Sequence, residues 1–250
     1  MATEILVFLP GTLGSELWSG DDRVWPGTPW DAIRGFSDER FQRLLQPDLE
    51  PRDIIRSAAG GIISIYDSWI DAFEGISRDG APLFQEHPGD GRTPTLRVFP
   101  YDWRVDLRVT ADRLAAFLDG IAARTPDADL KLVCHSMGGL VARYYLESGL
   151  FTGRAAHAKV SLLVTLGTPH NGAPVAFAAA IGQHHVTFLS QEQTKTVAND
   201  PRYTSLYQLF PDKTHSFIWD RDAGASIADR PADDQALVAA FGLRPAGLDA

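Results

Sequence analysis

Leu130-Lys131-Leu132-Val133-Cys134-His135-Ser136-Met137-Gly138-Gly139-Leu140-Val141-Ala142-Arg143-Tyr144-Tyr145-Leu146 joins a short apolar run to a helical pattern. The run ends at Cys134, and beyond Ser136 the pairs Leu140/Tyr144 and Val141/Tyr145 recur four residues apart. Between run and helix stands small-x-Ser-x-Gly, with Cys134 where a glycine is usual. A serine on a sharp strand-to-helix turn takes a strained backbone, and its neighbours two residues away must be small for strand and helix to pass closely. Such a turn lifts the hydroxyl above the sheet and aims the free N–H groups of the new helix at the same point. Ser136 is therefore a candidate nucleophile, and the Met137 amide a candidate donor to the oxyanion formed on an attacked carbonyl. A serine and two glycines can also merely cap a helix. The strand before and the helix after favour the nucleophile.

Working outward, residues 5–9 (Ile-Leu-Val-Phe-Leu) read as a buried parallel strand closed by Pro10-Gly11. Residues 10–14 then form a loop at the strand's C-terminal end, where open α/β sheets place ligands. Residues 95–99 and Val160–Leu166 read as further buried strands. Residues 110–123 read as a helix with Leu114, Phe117, Leu118 and Ile121 on one face, packed on the sheet in a right-handed βαβ crossover to the serine strand. Gly149 suits the C-terminal end of the helix after Ser136.

Four motifs share an order with a known family: Pro10-Gly11-Thr12-Leu13-Gly14-Ser15, Phe99-Pro100-Tyr101-Asp102-Trp103-Arg104, His135-Ser136-Met137-Gly138-Gly139 and Gly167-Thr168-Pro169-His170-Asn171-Gly172. Together they resemble the lecithin:cholesterol acyltransferase-like lipases, a branch of the α/β-hydrolases, and the stretch Ser205-Leu206-Tyr207-Gln208-Leu209-Phe210-Pro211 is also similar. The resemblance implies a mostly parallel α/β-hydrolase sheet with helices on both faces and a helical cap. It implies an acyl-ester hydrolase or acyltransferase acting on lipids, with the Thr12 amide as the second oxyanion donor. The Tyr-Asp-Trp-Arg block is expected near the site, with Asp102 and Arg104 pairing to fix their own loop. The family places its general base much later than His170, so His170, with Leu13 and His135, is expected to line the substrate pocket.

Composition bounds the rest. A chain of 250 residues, 44 % apolar and 22 % charged, suits one globular domain. A net charge of −9 argues against a nucleic-acid partner and against simple attraction to anionic membranes. One cysteine permits no internal disulfide, and no Cys/His cluster has metal-ligand spacing, so no cofactor or metal is expected. No basic segment with an apolar signal core opens the chain, and no apolar run reaches membrane-spanning length. A cytoplasmic enzyme with peripheral membrane contact is the expectation; the oligomeric state stays open.

Residues 17–57 show no strong alternation and read as a lid or part of the core, with Trp18, Trp25 and Trp30 suiting either setting. A short amphipathic helix is expected over residues 39–46, a short strand over 62–66, a helix from Asp67 (with Asp67 as its cap) and a loop over 82–94. From residue 173 a cap is expected, with helices over 176–181, 203–210 and 233–241 (the last closed by Gly242), mixed structure over 183–190 and a short strand over 215–219.

A serine needs a base held by a third group. Asp212, Asp220, Asp222, Asp229, Asp233 and Asp234, with His184, His185 and His215, do not fall in the strand-acid-strand-histidine order of the α/β-hydrolases. Asp200 followed by His215 comes nearest, so acid and base stay unassigned and a C-terminally incomplete chain is expected. A small-ester or lactone hydrolase, and a non-catalytic α/β-hydrolase-like binding protein, are the alternative readings.

Overall fold

The computed structural model describes residues 2–58, 63–89, 91–186, 188–211, 218–220, 225–227 and 243. In chain order the elements begin with β1 (Thr3–Leu9), β2 (Ser15–Ser19), β3 (Asp22–Trp25), α1 (Pro29–Arg34), α2 (Asp38–Leu44) and β4 (Glu50–Ile54). Two-residue strands β5 (Ser57–Ala58) and β6 (Ile63–Ser64), α3 (Asp67–Glu74), and the pair β7 (Ser77–Arg78) and β8 (Ala81–Pro82) follow. Next come β9 (Leu96–Val98), α4 (Leu107–Arg124), β10 (Ala128–His135), α5 (Met137–Glu147) and β11 (Val160–Leu166). The tail holds α6 (Pro174–Ala180), α7 (Gln191–Asn199), α8 (Ser205–Gln208), β12 (Ile218–Asp220) and β13 (Ala225–Ile227).

The central sheet is parallel, in the order β11-β10-β1-β9. β1 lies in its middle, and residues 5–9 are buried on both faces, which is why they are apolar without alternation. Ile5, Val7 and Leu9 join Leu130, Leu132 and Cys134 against α4 and α5, through Leu114, Leu118, Val141 and Tyr145. Leu6 and Phe8 turn to the other face, with Leu96 and Val133, under Ile70 of α3. The sheet thus carries helices on both faces, as an α/β-hydrolase core does.

Several local expectations are corrected. Residues 17–57 hold an antiparallel sheet of order β3-β2-β4, whose pairings shift register beside Leu17, breaking the alternation that would have announced it. Within it the tryptophans part company: Trp25 is 2 % exposed and Trp30 on α1 is 67 % exposed. Asp67 is the first residue of α3 and Tyr66 holds the cap position. The long helix starts at Leu107, earlier than periodicity suggests, because the Asp106 side chain caps it by accepting from the Arg108 amide. Gly149, at φ 79°, follows the end of α5 as expected. α7 was not anticipated: only Thr194 and Ala198 of its nine residues are buried, so it lacks an apolar stripe. Its capping box, Ser190 with Gln193, was the available signal.

Of the tail expectations, the strand near 215–219 begins among the described residues at Ile218. The helix over 233–241 and its Gly242, and Asp212, His215, Asp222, Asp229, Asp233 and Asp234, lie outside the described residues. Among the described residues no helix is long and apolar enough to cross a membrane.

Candidate active site

The register of the central strands assembles the site. Leu9 of β1 pairs with Cys134 of β10, so the chain leaves both strands at one level and the loop at residues 10–14 faces the turn at Ser136. Ser136 sits at φ 51°, ψ −124°, on the side of backbone space where a β-carbon is strained, at a cost of about 1–3 kcal/mol. Three bonds hold it there. Its amide donates to the Leu166 carbonyl at 2.8 Å, and its own carbonyl accepts from the Gly139 amide at 3.0 Å and the Thr168 hydroxyl at 2.9 Å.

The small residues around Ser136 are small because backbone crosses backbone. A β-carbon on Gly138 would lie 2.5 Å from the Pro10 carbonyl oxygen, and one on Gly139 would lie 2.1 Å from Thr168 Oγ1. Across the site, a β-carbon on Gly11 would come within 2.9 Å of both Ser136 Cβ and His135 Nδ1. Cys134, at the first small position, is fully buried, and burial pushes its thiol well above the usual range, so it is an inert part of the core.

The facing loop is held by side chains from distant elements. Tyr66 Oη accepts the Gly11 amide at 2.9 Å, Trp25 Nε1 donates to the Leu13 carbonyl at 2.9 Å, and Tyr101 Oη donates to the Pro10 carbonyl at 2.8 Å. Leu13 takes φ 64° to make this turn, which closes with the Gly14 amide donating to the Gly11 carbonyl at 3.0 Å. Thr12 Oγ1 meets Met137 Sδ at 3.4 Å, tying loop to turn. Among the described residues the Thr12 and Met137 amides have no acceptor, so each can serve a substrate oxygen.

The His135 ring packs edge-on against those of Tyr66 and Trp69. Its Nδ1 is 2.8 Å from Tyr66 Oη. Burial raises the Tyr66 phenol to about 12 and lowers His135 below its ordinary value, so both are neutral. Tyr66 Oη thus bridges the Gly11 amide and His135 Nδ1.

Asp102 and Arg104 form the expected pair, buried, with guanidinium Nη2 at 2.7 Å from Asp102 Oδ2 and Nε at 2.8 Å from Oδ1. Arg104 Nη1 also donates to the carbonyls of Leu44 and Gln46, and its plane covers Tyr203. Between them Trp103 lines a cavity that reaches the Thr12 loop. Thr12 and Leu13 line it, with Val186, Leu189, Thr194 and Leu206.

His135 and His170 are not among the residues lining that cavity. His170 is exposed, with Nδ1 at 3.0 Å from Arg143 Nη1, and Arg143 in turn grips Glu147. Ser136 Oγ makes no hydrogen bond to any described residue. Among the described histidines, His157 meets the Leu146 carbonyl, and His184 and His185 stack on each other. Asp200 is engaged by Arg202 at 2.5 Å. Tyr66 was missed in the sequence, because nothing near residue 66 announces a contact with residues 11 and 135.

The solved product of gene lin2722 from Listeria innocua is similar over 81 % of this chain and 67 % of its own, at 15 % identity and a TM-score of 0.32. No curated protein matches the sequence. The model of the lecithin:cholesterol acyltransferase family matches residues 86–235, which take in the Tyr-Asp-Trp-Arg block, the Ser136 turn and the Gly-Thr-Pro loop. This chain belongs to the lecithin:cholesterol acyltransferase family.

Proposed function

We propose that this protein is a serine-dependent lipid acyl-ester hydrolase or acyltransferase that works through an acyl-enzyme on Ser136. The family supports a lipase- or acyltransferase-type activity. The observation that carries the finer reading is the strained Ser136 turn facing two unengaged amides, those of Thr12 and Met137. Ser136 Oγ attacks the ester carbonyl carbon, its proton passes to a base, and the carbonyl oxygen gains charge under the two amides. Collapse expels the alcohol, which takes up a proton, and leaves the acyl group on Ser136. Water or a second alcohol then attacks the acyl-enzyme and releases the serine. The base is unassigned.

Exposed Trp30 on α1 and the cavity beside Thr12 favour a lipid-like substrate over a small ester or lactone. A long-chain fluorophosphonate is expected to label Ser136 on peptide mapping, and long-chain esters to be cleaved faster than acetate esters. Label on another serine would overturn the nucleophile, and faster acetate turnover would favour the small-ester reading. A non-catalytic binding protein is the second reading, favoured by Ser136 Oγ having no hydrogen-bond partner among the described residues. A folded protein that binds long-chain lipid but never labels would establish it.

A further inference from the structure

The hydroxyl of Thr12 has a poor partner. Among the described residues it bonds only to the thioether of Met137, with Oγ1 at 3.4 Å from Sδ. A thioether sulfur is a weak acceptor, so the proton is held loosely. Met137 is fully buried, whereas Thr12 is half-buried and lines the cavity. Oγ1 stands three bonds from the Thr12 amide nitrogen, and Met137 opens α5 directly after Ser136. The hydroxyl thus belongs to one of the two residues whose amides lack an acceptor and touches the other. The backbone on either side of it is pinned, with the Gly11 amide held by Tyr66 and the Leu13 carbonyl by Trp25. A mere tether between loop and turn needs no hydroxyl, because a valine methyl would pack on the same sulfur with no polar group to satisfy.

We propose that the Thr12 hydroxyl is a third donor to the oxyanion, a catalytic group beside the two amides; the proposal rests on the reading of Ser136 as the nucleophile. Rotation about the Cβ–Oγ bond redirects the proton from sulfur without moving the backbone. While the ester is intact its carbonyl oxygen is neutral, and the hydroxyl can stay on Met137. As Ser136 Oγ bonds to the carbonyl carbon, the π pair of the carbonyl moves onto its oxygen. That charged oxygen is a far stronger acceptor than a thioether and draws the hydroxyl to itself. Nothing is transferred to or from Thr12. When the intermediate collapses the carbonyl re-forms, and the hydroxyl returns to Sδ. A donor engaged only as charge develops stabilises the transition state over the bound ester, so it raises kcat and leaves KM nearly alone.

The test compares Thr12→Val, Thr12→Ser and Met137→Leu in the intact chain. The readouts are hydrolysis of p-nitrophenyl octanoate and the rate at which a fluorophosphonate labels Ser136, a reaction that also builds charge on an oxygen in the same place. Thr12→Val keeps the side-chain shape and the amide; it should lower kcat and the labelling rate by about 10²-fold, with KM within about two-fold. Thr12→Ser should restore most of that loss. Met137→Leu cuts the bond to sulfur but spares the hydroxyl, so it should raise kcat rather than lower it. Equal losses in Thr12→Val and Met137→Leu would make the bond a structural tether and overturn the proposal. So would a change in KM alone, or an undiminished rate in Thr12→Val. Should Met137→Leu disturb the buried turn, the split between kcat and KM in Thr12→Val and its rescue by serine decide. Labelled Ser136 with an indifferent Thr12→Val defeats the third donor alone, whereas a folded chain never labelled at Ser136 defeats the nucleophile and the donor with it.

Discussion

The two sides of the site are built by opposite means. The Ser136 turn is shaped by local sterics: a left-handed serine, and glycines at 138 and 139 pressed against the Pro10 carbonyl and Thr168. The Thr12 loop is shaped at a distance, by hydroxyl and indole groups of Tyr66, Tyr101 and Trp25 that reach it from other elements. A turn made by crowding is specified by what its own residues lack. A loop made by tethers is specified by residues tens of positions away. The first should fail abruptly on adding atoms, and the second gradually on removing them.

The sharpest break comes at the proposed nucleophile. Ser136→Gly should lower ester hydrolysis by about 10⁴-fold or more and yet raise stability by roughly 1 kcal/mol, because glycine takes φ 51° without strain. Loss of stability in that variant, read from urea unfolding, would show that the turn is not a store of strain. Next in size, Gly138→Val should cost about 3 kcal/mol or more, since the obstacle is the backbone oxygen of Pro10 and cannot swing aside. A near-native melting temperature would refute the steric account.

On the tethered side, Tyr66→Phe leaves the Gly11 amide buried without its acceptor, for a loss of about 1–2 kcal/mol. It should slow turnover by about ten-fold with little change in KM, because the Thr12 donor loosens while the cavity stays intact. A change in KM alone would point to a binding role for Tyr66 instead. The smallest effect belongs to His135, which both sides share. Its folded pKa is depressed by burial, so the folded protein binds the proton less readily than the unfolded chain. Stability should therefore fall as pH drops below the ordinary value of 6.5, by at most about 1.4 kcal/mol per pH unit, until the folded pKa is passed. In His135→Gln that part of the slope should vanish; an unchanged urea midpoint profile would mean His135 is not its source.

The same contrast explains what could be read in advance. β1 and β10 were visible because a strand packed on both faces is largely apolar; β11 is apolar too, but it is the edge strand and leaves Leu162 and Leu166 exposed, which corrects its reading as buried. Ser136 and Met137 were visible because the turn's requirements lie within five residues. The sheet of β2, β3 and β4 was not, since its strands are short and slip register beside Leu17. Tyr66 as a tether, Trp103 and Thr194 as cavity groups, and the outward placing of His170 depend on which chain segments meet, and no local pattern encodes that.

Arg104 sets a limit on how this protein can be taken apart. Its guanidinium satisfies the carbonyls of Leu44 and Gln46 from the region between β1 and α3, answers Asp102 beside it, and lies 4.4 Å from the centre of the Tyr203 ring in the tail. The Tyr203 hydroxyl returns to the Leu45 and Gln46 carbonyls. Excising residues 15–54 to obtain a minimal catalytic core would strand a buried cation with two fewer acceptors, a far larger penalty than the loss of surface it removes. What looks like a detachable decoration on the parallel sheet is a structural dependency, and a trimmed version should be recovered from cells as aggregate.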